Sequence, residues 1–490
     1  MKRVFIILIV TVLLIGCMST NAFAADAKTT ITIYGTEVTI PDNDKILPVL
    51  EEKFNVDLVV EAGDDAGLTA RITGGTIPDI MLVQDPATFT TLMKNGVALD
   101  VTDYVAGMDE FRAAFTDYDW AKLSSDGRYY GIPRRAENNY YGWYIRKDYL
   151  KALGFDQPTT FDELYAYCEA LKDADLDGNG QNDTYPISGE LITSHNAFDG
   201  FFTAYGTGNW TSLLLDGNGG VEYAVTTENF RKAIEEIRRF TSAGFVDPEV
   251  IANTWDTVRE KMGSGKTGVV YAGWNWVGRN THKAVINAID EDADWFYFDP
   301  MITTEYGKAG ALKNGGGSAS KFTVLSVDLE EDPEKLALIL ELYDYITTGE
   351  GDLLMSYGIE GTHYDIIDGV ITKLPAMDEL GYGYVLQFTG RQDETYCNTK
   401  FIECIDAVAY AANKDNVPLI YYWQNVIQTP AGYNIADMKA YVEEMVYKFI
   451  FGELDMEKWD DFINDLYTTY DLQTYLDSAV EQLTAMGVLG

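Results

Sequence analysis

The alternation Thr30-Ile31-Thr32-Ile33-Tyr34 predicts a strand stopped by Gly35. A helix is expected from about Asp44 to Phe54, then a strand from Val56 to Glu61. A second helix near Ala66 to Thr73 leads through Gly74-Gly75 and Pro78 into a third strand, Asp79 to Val83. Strands alternating with helices at this pace argue for βαβ units around a largely parallel sheet. Ala87 to Asn95 reads as a helix closed by Gly96, and Leu99 to Val105 as a short element. Thr160-Phe161-Asp162-Glu163 is a capping box that starts a helix running to about Leu171. A hydroxyl cap at Thr227 opens another, with Phe230, Ile234 and Ile237 on one face and Gly244 at its end. Strands follow at Thr267 to Tyr271 and Trp295 to Phe298, and near Phe322 to Ser326 after the Gly-rich run Asn314 to Gly317. Asp332 opens a helix to about Thr347. From Leu419 onward the chain reads as mostly helical, with amphipathic stretches at Met438 to Phe449 and Trp459 to Leu466. The class is α/β, without an internal repeat.

In parallel sheets of this kind ligands sit beyond the carboxyl ends of the strands, which puts Gln84 and Asp85 at a cleft edge. The densest stretch is Gly131 to Leu150. Gly131 to Pro133 is expected to be a hinge, Arg134 to Trp143 a cleft wall, and Tyr144 to Leu150 the entry into a second lobe. Within the wall Arg134, Glu137 and Asn138 supply hydrogen bonds. Tyr141 and Trp143, on the strand face opposite Tyr144, supply stacking surfaces.

Length changes this picture first, because 490 residues imply two or three domains. Composition then points to the ligand: 33 Tyr and 9 Trp offer flat apolar faces with polar tips, which suit sugar rings as well as cores. A formal charge of −41 excludes nucleic acid and anionic membrane surfaces as partners, since both repel an acidic chain. Lys2 and Arg3 before the apolar run Val4 to Ile15 form a secretory signal over residues 1–24, so the chain is exported. Two processing routes are open. Leu14-Ile15-Gly16-Cys17 resembles a lipobox in which Cys17 is acylated, whereas Ala22-Phe23-Ala24 suits ordinary cleavage and release. No other stretch is apolar enough to span a bilayer, which leaves membrane attachment to a lipid anchor alone.

Asp175-Leu176-Asp177-Gly178-Asn179-Gly180-Gln181-Asn182-Asp183 has calcium-loop spacing. Asp175, Asp177, Asn179, the Gln181 carbonyl and Asp183 are the expected ligands of a structural Ca2+. The twelfth position is Pro186, so a further carboxylate must come from elsewhere, with Asp173 or Glu190 as candidates. Trp274-Asn275-Trp276, flanked by Gly273 and Gly278 at a strand end, suits stacking on pyranose faces, and Trp210 in a polar loop is a similar candidate. His195, His282 and His363 show no metal spacing, and there is no nucleophile elbow, P-loop or dinucleotide fingerprint. A pair of glycosidase carboxylates among 77 acids keeps a secreted carbohydrate-active hydrolase as the alternative. Cys168 is expected in a core, and Cys397 and Cys404 are either a disulfide or two thiols.

Pro78-Asp79-Ile80, Gly131-Ile132-Pro133, Tyr144 to Leu150, Gly154-Phe155, the Asp175 loop and Tyr357 to Tyr364 with Asp368-Gly369 together resemble the family 1 extracellular solute-binding proteins of bacterial ABC importers, in the subgroup of oligosaccharide- and polysaccharide-binding lipoproteins. The resemblance implies a periplasmic-binding-protein fold of the second type, with two α/β lobes, a hinged cleft and extra C-terminal helices. Residues 27–143 with 300–365 would form one lobe and 144–299 with 366–490 the other. It further implies no catalysis, a monomer, and delivery of the captured solute to separate membrane permease subunits. The site expected is Trp274, Trp276, Trp210, Tyr141 and Trp143 for stacking, with Asp85, Arg134, Glu137, Asn138 and Arg391 for hydrogen bonds, around an oligosaccharide or else a non-sugar solute such as a peptide.

Overall fold

The structure, a computed structural model, describes residues 28–35, 40, 42–125, 127–135, 141–181, 183–191, 196–298, 313–314, 322–380, 388–390, 393–412, 419–420 and 423–489. Two four-stranded sheets organise it. Their strands, in chain order, are β1 (Thr29–Gly35), β2 (Val56–Ala62), β3 (Ile80–Val83), β4 (Tyr141–Arg146), β5 (Ile187–Ser188), β6 (Val269–Gly273), β7 (Trp295–Phe298) and β8 (Phe322–Leu325). The helices that matter below are α1 (Pro86–Lys94), α2 (Phe161–Lys172), α3 (Glu228–Ser242), α4 (Trp255–Gly263), α5 (Trp274–Gly278), α6 (Pro333–Thr347), α7 (Ile435–Ile450), α8 (Trp459–Thr468) and α9 (Leu472–Ala485).

The first sheet has the order β8-β3-β1-β2. β1 runs parallel to β2 and β3, as the βαβ pattern predicts, and β8 returns antiparallel beside β3. Ile31, Ile33 and Ile80 drive its formation by burying against Ile339 and Tyr343 of α6. The second sheet, β7-β4-β6-β5, departs from the expected parallel arrangement. Its central strand β4 is flanked by two strands, β6 and β7, that both run back along it. Helices cover this sheet, so both faces of β4 are buried: Trp143 and Ile145 join α2, α3 and the C-terminal helices in one core, while Tyr144 joins a smaller core with α4. The caps anticipated at Thr160 and Thr227 are made: each side chain accepts from the backbone N–H three residues on, and Glu163 returns the bond at the first.

One expectation about organisation changes. Met377, Phe388, Tyr396, Cys397 and Phe401, anticipated in the second lobe, pack into the core of the first sheet. Nothing local in the sequence says which sheet such a segment will cover. Gly131 to Pro133, expected as a hinge, is tied to the first sheet at Ile132. The Ile132 N–H donates to the Thr323 carbonyl at 2.8 Å, and the Ile132 side chain is fully buried. Cys397 and Cys404 are both thiols within that core.

A buried polar clasp locks the edge of the second sheet. Asp247, 2% exposed, accepts from Ser188 Oγ of β5 at 2.7 Å, Asn253 Nδ2 at 2.9 Å and Lys261 Nζ of α4 at 2.7 Å. Lys261 also reaches Glu249 and the Asn253 amide oxygen. Three segments distant in sequence are thereby tied at one carboxylate.

Candidate functional site

The carboxyl end of β3 delivers Asp85 to a cleft of about 500 Å³. Asp85 caps α1, accepting from the Thr88 N–H at 3.0 Å and its hydroxyl at 3.1 Å. That bond fixes how the helix leaves the sheet and so which of its faces forms a wall. Thr90, Thr91 and Lys94 lie on that face at helical spacing, joined by Lys122 and Ser124. Phe89 and Phe322, both buried and stacked on each other at 4.8 Å with 13° between ring planes, back this wall. The opposite wall comes from the segment that carries the second core: Gln424, Val426, Ile427, Gln428 and Thr429, with Lys439 of α7 and Met486 just beyond α9.

Asp85 is therefore where the strand-end rule puts it. The lysines, the phenylalanine pair and the 424–429 segment have no counterpart in the expected site. Lys94 was within reach of sequence reasoning, because stepping three or four residues at a time from Ala87 leads to it. The 424–429 segment was not, since only tertiary folding brings it across from α1.

The aromatic candidates separate differently. Trp143 and Trp210 are core residues, at 0% and 1% exposure: Trp143 meets Phe201 and Tyr271 edge-on, and Trp210 meets Phe202 and Tyr447. Trp274, 1% exposed, packs on Phe401 at 5.2 Å while its carbonyl accepts from the Tyr144 hydroxyl at 3.0 Å. Trp276 is half-buried, stacked on Trp255 at 5.0 Å with the Arg259 guanidinium 5.2 Å from its ring centre. Tyr141 is half-buried and parallel to Tyr271. The surrounding glycines make room for these rings. A Cβ on Gly273 would stand 2.6 Å from the Trp276 ring, and one on Gly200 would stand 2.5 Å from Trp143. Glycines beside tryptophans, taken from sequence as a sign of ligand access, here serve ring packing.

Arg134 is buried at 7% exposure, close enough to Tyr343 that its charge opposes the upward shift burial imposes on that phenol. It belongs to the first body of the fold. Glu137, Asn138 and Arg391 lie outside the described residues, as does Cys17. Among the described residues no helix is long and apolar enough to cross a membrane.

The Asp175 loop bends where its glycines allow it, Gly178 at φ +69° and Gly180 at φ +74°. The Gly180 N–H donates to Asp175 Oδ2 at 3.0 Å, and the Gln181 N–H donates to Asn179 Oδ1 at 2.7 Å. The Asn179 amide bridges two carboxylates, donating to Asp177 at 2.7 Å and Asp183 at 2.9 Å. Burial first, and then the neighbouring carboxylates Asp175 and Asp183, push the Asp177 pKa up. Among the described residues no three His, Cys, Asp or Glu side chains form a ready-made metal cage. The donor set is nevertheless all hard oxygen and electrostatically frustrated, which fits a cation that would take over from the Asn179 amide. Of the two candidates for a further carboxylate, Asp173 stands at the end of α2 and Glu190 is buried at 1% exposure.

A family model described as bacterial extracellular solute-binding protein matches residues 49–322. The chain is 26% identical over 444 residues to a fructooligosaccharide ABC transporter substrate-binding protein of Streptococcus pneumoniae, covering 83% of this chain and 79% of that one. It is 24% identical over 387 residues to a polygalacturonan/rhamnogalacturonan-binding protein of Bacillus subtilis, covering 74% of each. Among solved structures, an EF-hand mutant of the S. pneumoniae ABC-transporter substrate-binding protein, in complex with fructo-nystose, superposes with a TM-score of 0.68 at 19% identity, over 94% of this chain and 99% of that one.

Proposed function

Because the chain belongs to the bacterial extracellular solute-binding proteins, with the two-lobed type II binding-protein fold, we propose that it captures an oligosaccharide outside the cytoplasmic membrane and delivers it to the permease of an ABC importer. The observation that carries this reading is the cleft at the end of β3. Hydroxyls and amides from Thr90, Ser124, Gln428 and Thr429 line it together with the half-buried apolar side chains of Val426 and Met486, a combination that meets the hydroxyl rim and the apolar face of a sugar ring. The two curated relatives reported above are named for oligosaccharide and polysaccharide ligands. A ligand touching both walls favours the closed arrangement of the lobes, and closure is what a permease can recognise. Cys17 would tether the protein to the membrane as a lipoprotein; cleavage after Ala24 would release it. Titration calorimetry against a panel of neutral and acidic oligosaccharides, with di- and tripeptides as controls, is expected to give heat with at least one sugar and none with peptides. Heat from peptides alone would refute the sugar reading.

Asp175, Asp177, Asn179, Asp183 and the Gln181 carbonyl are proposed to hold a structural Ca2+, which would supply the positive charge these carboxylates lack. Saturating calcium at one hundred times its Kd is expected to stabilise the fold by about 2.7 kcal/mol. A chelator should lower the melting temperature correspondingly, and Asp177→Asn should abolish the response. A melting temperature indifferent to both calcium and chelator would remove the site.

A further inference from the structure

We propose that the sugar taken by this cleft is acidic, with a carboxylate of a uronic acid residue held between Lys94 on one wall and Lys439 on the other. The proposal rests on the oligosaccharide reading and narrows it.

The reason is a local reversal of charge. Over the whole chain 77 acids face 36 lysines and arginines. Among the described residues lining the cleft the balance inverts, to Lys94, Lys122 and Lys439 against Asp85. Asp85 is already engaged as the cap of α1, accepting from both the N–H and the hydroxyl of Thr88. Lys122 has its counter-ion behind it, Asp119 at 3.2 Å. Lys94 and Lys439 have no ion pair among the described residues, in a protein with a large surplus of carboxylates to offer them. Their positions differ in a useful way. Lys94 is exposed in the last turn of α1, whereas Lys439 is half-buried near the start of α7, where loss of solvent lowers its pKa and leaves an ammonium in need of a counter-charge.

The two lysines stand on opposite walls, so bringing the walls together sets like charges toward one another. A ligand carboxylate between them removes that repulsion and rewards closure, which a neutral sugar cannot do. Elsewhere the chain's net charge repels anions. The cationic cleft is therefore what lets an acidic sugar enter at all, and its attraction must weaken with salt.

The test is calorimetry on the full mature chain with trigalacturonate, trimannuronate, the methyl ester of trigalacturonate, and the neutral trisaccharides kestose and maltotriose. At least one acidic trisaccharide is expected to bind ten-fold or more tightly than its uncharged counterpart and to lose affinity between 50 and 300 mM salt. Lys94→Gln and Lys439→Gln should each cost it about ten-fold. Lys94→Glu, a change at an exposed position that leaves the melting temperature in place, should abolish binding. Neutral trisaccharides binding better than both acids, or acid binding indifferent to Lys94→Glu and to salt, overturns the proposal while leaving the oligosaccharide reading intact. Absence of heat from every sugar, with heat from peptides, overturns both.

Discussion

Trp143→Ala is expected to destabilise the folded chain by about 3–5 kcal/mol, the range for removing a large buried aromatic side chain. The indole is fully buried, meets Phe201 and Tyr271 edge-on, and sits where Gly200 has no Cβ to obstruct it. No neighbouring side chain is positioned to fill the space, because β4 is the inner strand of its sheet and the helices over it are fixed by their own core contacts. The measurement is denaturant unfolding monitored by far-ultraviolet circular dichroism, alongside calorimetric titration of whichever sugar binds. A residue that stacks on ligand would give the opposite pattern, with binding lost at unchanged stability, and that outcome would return Trp143 to the site. Gly200→Val should act through the same contact from the other side, by overpacking.

The second large effect is expected at Asp247. Replacing it with alanine leaves the ammonium of Lys261 and the side chains of Ser188 and Asn253 without their shared acceptor. The loss should be about 3 kcal/mol, the low end for breaking a buried ion pair, since Lys261 keeps Glu249 as a partner. Burial works to raise the Asp247 pKa, but the hydrogen bonds from Lys261, Asn253 and Ser188 outweigh it and hold the carboxyl below the usual aspartate range. The sign follows: a folded-state pKa below the unfolded value contributes stability that is complete above roughly pH 4 and lost as the pH falls through the depressed folded value. Urea midpoints measured between pH 3 and pH 7 should show the wild type losing part of its stability at the acid end. Asp247→Ala should be flatter there and lower at pH 7. Parallel curves for the two proteins would mean the clasp contributes nothing through its charge.

What could be read from the sequence was what neighbouring residues decide. Alternating Ile31 and Ile33 gave β1, and Thr160 and Glu163 gave a reciprocal cap. Asp85 stands at the cleft edge because a strand end constrains its position directly. Trp143 was misjudged for a physical reason: on a strand buried from both sides alternation no longer separates core from cleft, so Trp143 and Tyr144 are both enclosed. Lys439, Gln428 and Thr429 carried no local signal. Their place opposite α1 is a property of the folded chain, about 340 residues away from it along the sequence.

The path of the chain through the two cores has a kinetic side. The first core joins Ile31, Ile33 and Ile80 to Leu325, Ile339 and Tyr396, and the second joins Trp143 and Tyr271 to Phe449 and Tyr475. A ribosome delivering the N-terminus first would have made β1, β2 and β3 long before β8 exists to cover the edge of β3, and the second core would wait for the last helices. Contacts of such sequence separation slow folding, because loop closure comes before the contacts that reward it. The nascent chain thus stays open until nearly all of it has been made, which is the condition in which a polypeptide can still be threaded through a membrane pore.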